Sequence, residues 1–452
     1  LDGSGGGAIL SRHVVIIGAS IGGLIAAAAL KCRGIEVTIL EKGSTVGGLY
    51  GKVDTPFGKQ ELGMHVLYLT ASHYQHLVEI FGEHKLKVWH GYKVDIGGAF
   101  NFGKPFFNSI YPDVRDLPQQ AVILEQLVAN AGSSNLPYND ASESATGKFG
   151  SIAADTVVSP ILKKLWQTDP SLLSAGALHC FYDLRRIVAC DKAEADQLKQ
   201  DPAIDQVLGN PEQRQPAGAV FNGRMAARFT NNCGDLSEVV VSWLHSQDIK
   251  IHFNTSVVFD SGQLLLNDVA LAKQYDACII ASPLPALIPE ARNRIELREL
   301  SIYYFQLAEV ITAHFPAYYL LCHDTNLRSS RIVNYSAYHD EQDQQDTCVI
   351  AVEVLHIADT APTEQEIAAE ISRVLPCASI VASYKLPNCM PVPVPSLANA
   401  FVLDEYTEQL QNNNGAMPLY FSGMRTDQGL FFSHHTIGNA YDSALACAAR
   451  LS

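Results

Sequence analysis

The chain predicts an α/β fold in which a doubly wound parallel sheet is interleaved with a mixed α+β unit. Three observations predict it. An apolar β-branched run, Val14 to Ile17, breaks at Gly18-Ala19-Ser20-Ile21-Gly22-Gly23, resumes as an Ala-rich stretch and turns at Gly34 into a second run, Val37 to Leu40. Strand-like runs of the same kind recur far along the chain, within 249–258, 275–287 and 419–422. Between them, 71–217 and 301–395 carry helical and extended patterns together.

The first unit reads as strand, tight turn, helix, strand, which seats a dinucleotide pyrophosphate on a helix N-terminus. Gly18 permits the turn, and Ser20 stands where the usual fingerprint has its second Gly. Ser20 is small enough for backbone to approach phosphate. Gly22 follows, and Gly23 lets helix and strand pack closely. Glu41 closes the second strand 18 residues after Gly23, where a carboxylate accepts from both ribose hydroxyls and repels a 2′-phosphate. A membrane anchor over 8–30 fits poorly, because Gly18, Ser20, Gly22 and Gly23 split the apolar run. The opening LDGSGGG reads as an expression remnant.

At 452 residues the chain exceeds one compact core, so two domains are expected. Hydrophobic content is 47% and mean hydropathy +0.05, values of an ordinary globular protein. A net charge of −15 argues against nucleic acid or an anionic membrane as a general partner, while leaving room for a local basic pocket. The ten cysteines are scattered singly, without metal-ligand spacing. They predict buried thiols, no metal and a cytoplasmic compartment. Expected partners are a small-molecule substrate and, at most, further copies of the chain in a homo-oligomer.

Beyond Glu41-Lys42 the chain enters a second Gly pair, Gly47-Gly48-Leu49, and then an extended stretch holding Gly63-Met64-His65. This order resembles the N-terminus of the flavoprotein group of amine oxidases, phytoene desaturases, protoporphyrinogen oxidase and UDP-galactopyranose mutase. The resemblance implies a Rossmann-like, glutathione-reductase-type FAD-binding domain over 8–70, 218–300 and 396–452, and a substrate domain over 71–217 and 301–395. It implies that Gly47 and Gly48 bring amides to the FAD pyrophosphate and that Gly63, Met64 and His65 pass near the flavin. His65 is otherwise an interior histidine. Val257 corresponds to the family's adenine contact, Gly423 and Thr436-Ile437-Gly438-Asn439-Ala440 to its last cofactor motif, with a helix expected from about Gly438.

The helix ending KKLWQTDP resembles the family's substrate helix, in which Trp166 stacks on a substrate ring or anchors packing. Arg331 and Tyr335, in SRIVNY, resemble the mutase segment whose Arg binds a diphosphate, although a rim salt bridge is equally compatible. The paired Tyr-Asp of the mutases is replaced by Phe431-Phe432-Ser433-His434. The acidic residue usual after the last strand is missing unless Asp427 supplies it. Oxidation is therefore placed first: hydride passes from a substrate C–H or N–H bond to flavin N5, with Arg331 toward a substrate anion and His434, His435 or His65 moving a proton. The alternatives are a non-redox nucleotide-sugar mutase and a flavin-binding protein without catalysis.

Overall fold

The computed structural model describes residues 12–64, 67–82, 86–88, 97–133, 136–212, 224–229, 235–260, 262–338, 348–388, 390–413 and 417–452. Residues 1–7, read above as an expression remnant, lie outside these residues, as do 213–217 and 339–347.

The β-branched runs form the expected strands. β1 (His13–Ile17) leads through α1 (Ile21–Lys31) to β2 (Glu36–Leu40). The layer is completed by α2 (Asp235–Ser246), β3 (Lys250–His252), β4 (Ala277–Ile280), β5 (Leu419–Phe421) and α3 (Ser433–Leu451). The strands lie in the order β3-β2-β1-β4-β5, every pair parallel. Val14, Val15 and Ile16 are fully buried, as a parallel sheet covered on both faces requires. The Ala26–Ala29 run is equally buried, and its small side chains admit α2 and α3 onto α1.

Two boundaries differ from expectation. The strand predicted over 249–258 is two, because Asn254 turns into the left-handed region (φ +53°) between β3 and a hairpin beginning at Val257. The final helix starts at Ser433 rather than Gly438. Phe432 is extended, and its carbonyl accepts from the His435 and Thr436 amides at 3.0 and 3.2 Å. Gly438 lies inside the helix for a packing reason: a Cβ there would sit 2.6 Å from the His73 ring.

The second layer is a mixed sheet. In order it holds Ile380–Lys385, Leu297–Leu307, Cys348–His356, Arg331–Asn334, Tyr319–Cys322, Gly97–Asn101 and Lys104–Phe106, and Met390–Pro393 pairs with the start of Leu297–Leu307. Tyr303, Phe305 and Val352 pack beneath the helix Glu364–Val374, while Tyr304 and Val333 join the cluster of Phe149, Trp166 and Tyr182.

One residue of this core sets an acid limit. His323 is 2% exposed, and neither ring nitrogen has a hydrogen-bond partner among the described residues. Burial, then the nearby Lys164 ammonium, pushes it down to about 3. The unfolded chain takes up this proton near pH 6.5, so stability falls as pH drops from there toward 3, by about 1.4 kcal/mol per pH unit. His323→Phe is expected to flatten the slope of unfolding free energy between pH 6 and 4 in urea titrations; an unchanged slope refutes this.

Candidate functional site

The carboxyl ends of β1, β2, β4 and β5 define one edge, where open α/β sheets bind ligands. Gly18, with φ +100°, turns the chain out of β1. Gly23 faces back onto that turn, and any Cβ there would overlap the Gly18 carbonyl oxygen. Gly22 lies against Ser422, 3.0 Å from where its Cβ would reach. Ser20 needs no glycine geometry, because its φ of −65° is ordinary. Its hydroxyl turns inward, donating to the Ala281 carbonyl at 3.0 Å and accepting from the Gly23 amide at 3.5 Å. The outer side of the turn is thus left to backbone.

The Gly47-Gly48 loop crosses this turn. The Gly47 amide donates to the Ala19 carbonyl at 2.8 Å, and Ser20 bridges Gly47 in parallel register. Both glycines have positive φ, +95° and +57°, and a Cβ on Gly47 would overlap the Ser237 hydroxyl of α2. Leu49 follows, half-buried, in the single turn Gly48–Tyr50.

Glu41 is held by backbone. One carboxylate oxygen accepts from the Ala19 amide and the other from Gly43, each at 2.6 Å. A carboxylate offers about four lone-pair sites, so each oxygen keeps one for a further donor. Lys42 is exposed beside it. The segment after β3 closes the same corner: the Thr255 and Asn254 amides donate to the carbonyls of Glu41 and Gly43, and Val257 is buried just beyond.

At the other end of the edge, α3 brings its first turn. Ile437 and Ala440 are buried on the core side and Thr436 is half-buried. Gly423 stands in open space. His434 is buried and stacks on Phe432, the two ring centroids 6.0 Å apart, and the His435 ring is 3.9 Å from it. Asp427 does not face this edge as a free carboxylate, since Arg425 forks onto it at 2.8 and 3.0 Å.

Gly63 and Met64 lie against the mixed sheet; His65 lies outside the described residues. The Tyr335 hydroxyl donates to the carbonyls of Glu61 and Gly63 at 3.0 and 3.2 Å, and Tyr304 donates to the Glu61 carbonyl at 2.7 Å. Glu353 accepts from the Met64 amide at 3.2 Å. Gly63 has φ +89°, and a Cβ on it would come within 2.5 Å of the same carboxylate.

Three expected substrate-side residues have partners inside the protein. Arg331 is 6% exposed and forks onto Glu353, Nε to Oε1 at 3.1 Å and Nη2 to Oε2 at 2.5 Å, under the Phe181 ring. Its charge is matched inside the protein rather than offered to a substrate anion or to a catalytic step. Trp166 is fully buried, and its carbonyl accepts from Arg298 at 2.8 Å. It packs within the buried cluster of Phe149 and Tyr182. Tyr335 is buried, with its hydroxyl on the backbone of the Gly63 segment. Glu353 was missed, although a lone carboxylate in the apolar run CVIAVEVLH signals a buried partner.

Residues 16–83 match the NAD(P)-binding Rossmann-like domain. No curated protein matches by sequence. Among solved structures the chain is similar to reduced UDP-galactopyranose mutase, at TM-score 0.69 and 17% identity over 98% of this chain and 96% of that one. It is also similar to wild-type putrescine oxidase bound to putrescine, at 0.58 and 13% over 98% and 99%. Cyclohexylamine oxidase from Brevibacterium oxydans IH-35A gives the same values, 0.58 and 13% over 98% and 99%. None of the membrane-long apolar helices that would span a bilayer occurs among the described residues. The chain therefore carries a Rossmann-like domain at its N-terminal end and, over nearly its whole length, shares its fold with a sugar-nucleotide mutase and two amine-acting oxidases.

Proposed function

We propose that the chain is an FAD-dependent oxidoreductase that takes hydride from a C–H or N–H bond of a small molecule. The donor set fits the dinucleotide. The N-terminus of α1 and the bare Gly47-Gly48 backbone suit a pyrophosphate. Glu41 keeps acceptor capacity for ribose hydroxyls, and the resemblance makes Val257, buried beside that corner, the adenine contact. By the family resemblance, the first turn of α3, with Thr436 and Ile437, would hold the flavin ring, where its positive dipole end would favour negative charge. When bound, the flavin supplies the two-electron acceptor. The chain's own part is to orient substrate over that ring and to hold a proton, for which His434 and His435 are the candidates.

The observation that carries oxidation over rearrangement is the Arg331–Glu353 fork. A mutase acting on a nucleotide sugar needs cations free for a diphosphate, and this guanidinium is neutralised. The likeness to UDP-galactopyranose mutase keeps the mutase as the second reading.

An absorbance spectrum of purified protein tests the first claim, with a bound oxidised flavin expected. Glu41→Arg places a cation against the Ala19 and Gly43 amides and is expected to lose flavin retention. Stoichiometric flavin in that variant counts against the ribose assignment. Bleaching of the flavin band by an amine under anaerobic conditions supports oxidation. Turnover of UDP-galactopyranose only after dithionite reduction, with no net redox change, supports the mutase.

A further inference from the structure

One residue of the core adopts a backbone conformation that its side chain disfavours. Phe181 has φ +69°, and across it the Tyr182 amide donates to the Cys180 carbonyl at 2.8 Å. A positive φ closed by an i to i+2 bond is the rarer, strained form of γ-turn, and a bulky side chain makes it rarer still. Such strain persists only where the surroundings over-determine it. They do so here. The next side chain, Tyr182, donates its hydroxyl to the carbonyls of Cys322 and Ser330 at 2.8 and 2.7 Å, and Ser330 directly precedes Arg331.

The turn brings the Phe181 ring, 1% exposed, to two neighbours from different parts of the candidate site. The Arg331 guanidinium lies 4.9 Å from its centroid and the Phe431 ring 5.6 Å away. Behind Arg331 stands Glu353, which accepts from the Met64 amide. Beyond Phe431 comes Phe432 at 5.8 Å, and the His434 ring stacks on Phe432 at 6.0 Å. A continuous series of contacts therefore leads from the Gly63–Met64 segment to the first turn of α3, and Phe181 is its middle member. The residues before Phe181 follow the same course. The Ser174 hydroxyl donates to the Asp427 carbonyl at 2.6 Å, and His179 lies beside Gly429. The approach to α3 is thus laid along 174–182.

We propose that Phe181 is a positioning residue. Its strained turn fixes the Phe431 and Phe432 rings against Arg331, so the His434 ring and the Met64 segment are set together rather than independently. The functional weight of this rests on the reading above, in which His434 is a candidate to hold a proton beside a flavin. A cation over a ring and a pair of tilted rings each prefer a defined geometry. An aliphatic side chain of similar size fills the space without fixing the angle.

Nuclear magnetic resonance of ring-labelled histidine tests this, with the signals of His434 and His435 identified by His434→Gln and His435→Gln. The His434 signal reports the placement of the Phe432 ring stacked on it. Arg331→Lys keeps a cation for Glu353 but gives up the planar guanidinium over Phe181, and it is expected to shift the His434 signal by more than its linewidth. In a Phe181→Leu background the same change should add no further shift, and in Phe181→Tyr the response should be retained. A His434 signal unmoved by Arg331→Lys, or moved equally with and without the ring at Phe181, overturns the proposal. Phe431→Leu, at a half-buried ring, breaks the same series and must abolish the response too, which keeps the test open where Phe181→Leu does not fold. Absorbance of the same samples separates the two claims. A colourless protein overturns the cofactor reading, whereas a yellow one with an unresponsive His434 overturns the coupling alone.

Discussion

Arg331→Met, leaving Glu353 in place, is expected to destabilise the chain by about 3–5 kcal/mol, the range for removing one partner of a buried ion pair. Glu353 is 1% exposed. Without the guanidinium its carboxylate keeps the Met64 amide as a donor but loses both Arg331 bonds. Glu353→Leu should lose a similar amount, because Arg331 then faces the Phe181 ring with no counter-charge. The double variant Arg331→Met, Glu353→Leu should recover most of that loss, since two apolar side chains carry no desolvation penalty. Urea unfolding of the four proteins yields the coupling energy. A coupling below about 1 kcal/mol, the range of exposed pairs, contradicts the buried fork. The double variant also cuts the Glu353 tie to Met64, so on the proposed cofactor reading the spectrum of a bound flavin should change even where stability returns.

The second large effect is at Gly23. A methyl group there cannot coexist with the Gly18 carbonyl, so Gly23→Ala must move α1 away from β1. Overpacking of this kind typically costs 1–3 kcal/mol, and more where the blocking atom is backbone. On the proposed cofactor reading, the shift displaces the α1 amides that would face the pyrophosphate, so flavin content should fall about tenfold or more, as a loss above 1.4 kcal/mol of binding implies. Gly132→Ala is the control: nothing lies within 4 Å of its added methyl, and flavin content should hold. Equal flavin content in both variants would remove the steric argument.

The contrast between these two sites explains what the sequence could and could not disclose. The Gly18–Gly23 turn is local, so each residue type follows from the shape of a single strand-turn-helix, and β1, α1, β2 and Glu41 were legible in order. The parallel sheet followed from similar apolar runs at 275–287 and 419–422. The fork was not legible as a pair. Arg331 and Glu353 are 22 residues apart and meet only through the register of two neighbouring strands. Trp166 carried no sign of its burial, because a Trp at a helix end has the same sequence whether it meets ligand or core. Gly438 misled for a related reason. Its neighbour, His73, comes from a helix more than 300 residues earlier, so a packing glycine looked like a helix boundary.

The placement of α3 on α1 bears on how the polypeptide is made. Helix α1 leaves the ribosome long before residues 433–451, which pack on its apolar flank, and β4 leaves it long before 419–421, which pair with its open edge. Such late closure favours slow maturation. Nascent chains halted before residue 419 should accordingly bind chaperones and be cleaved by protease within the Ala-rich helix, which the finished protein resists.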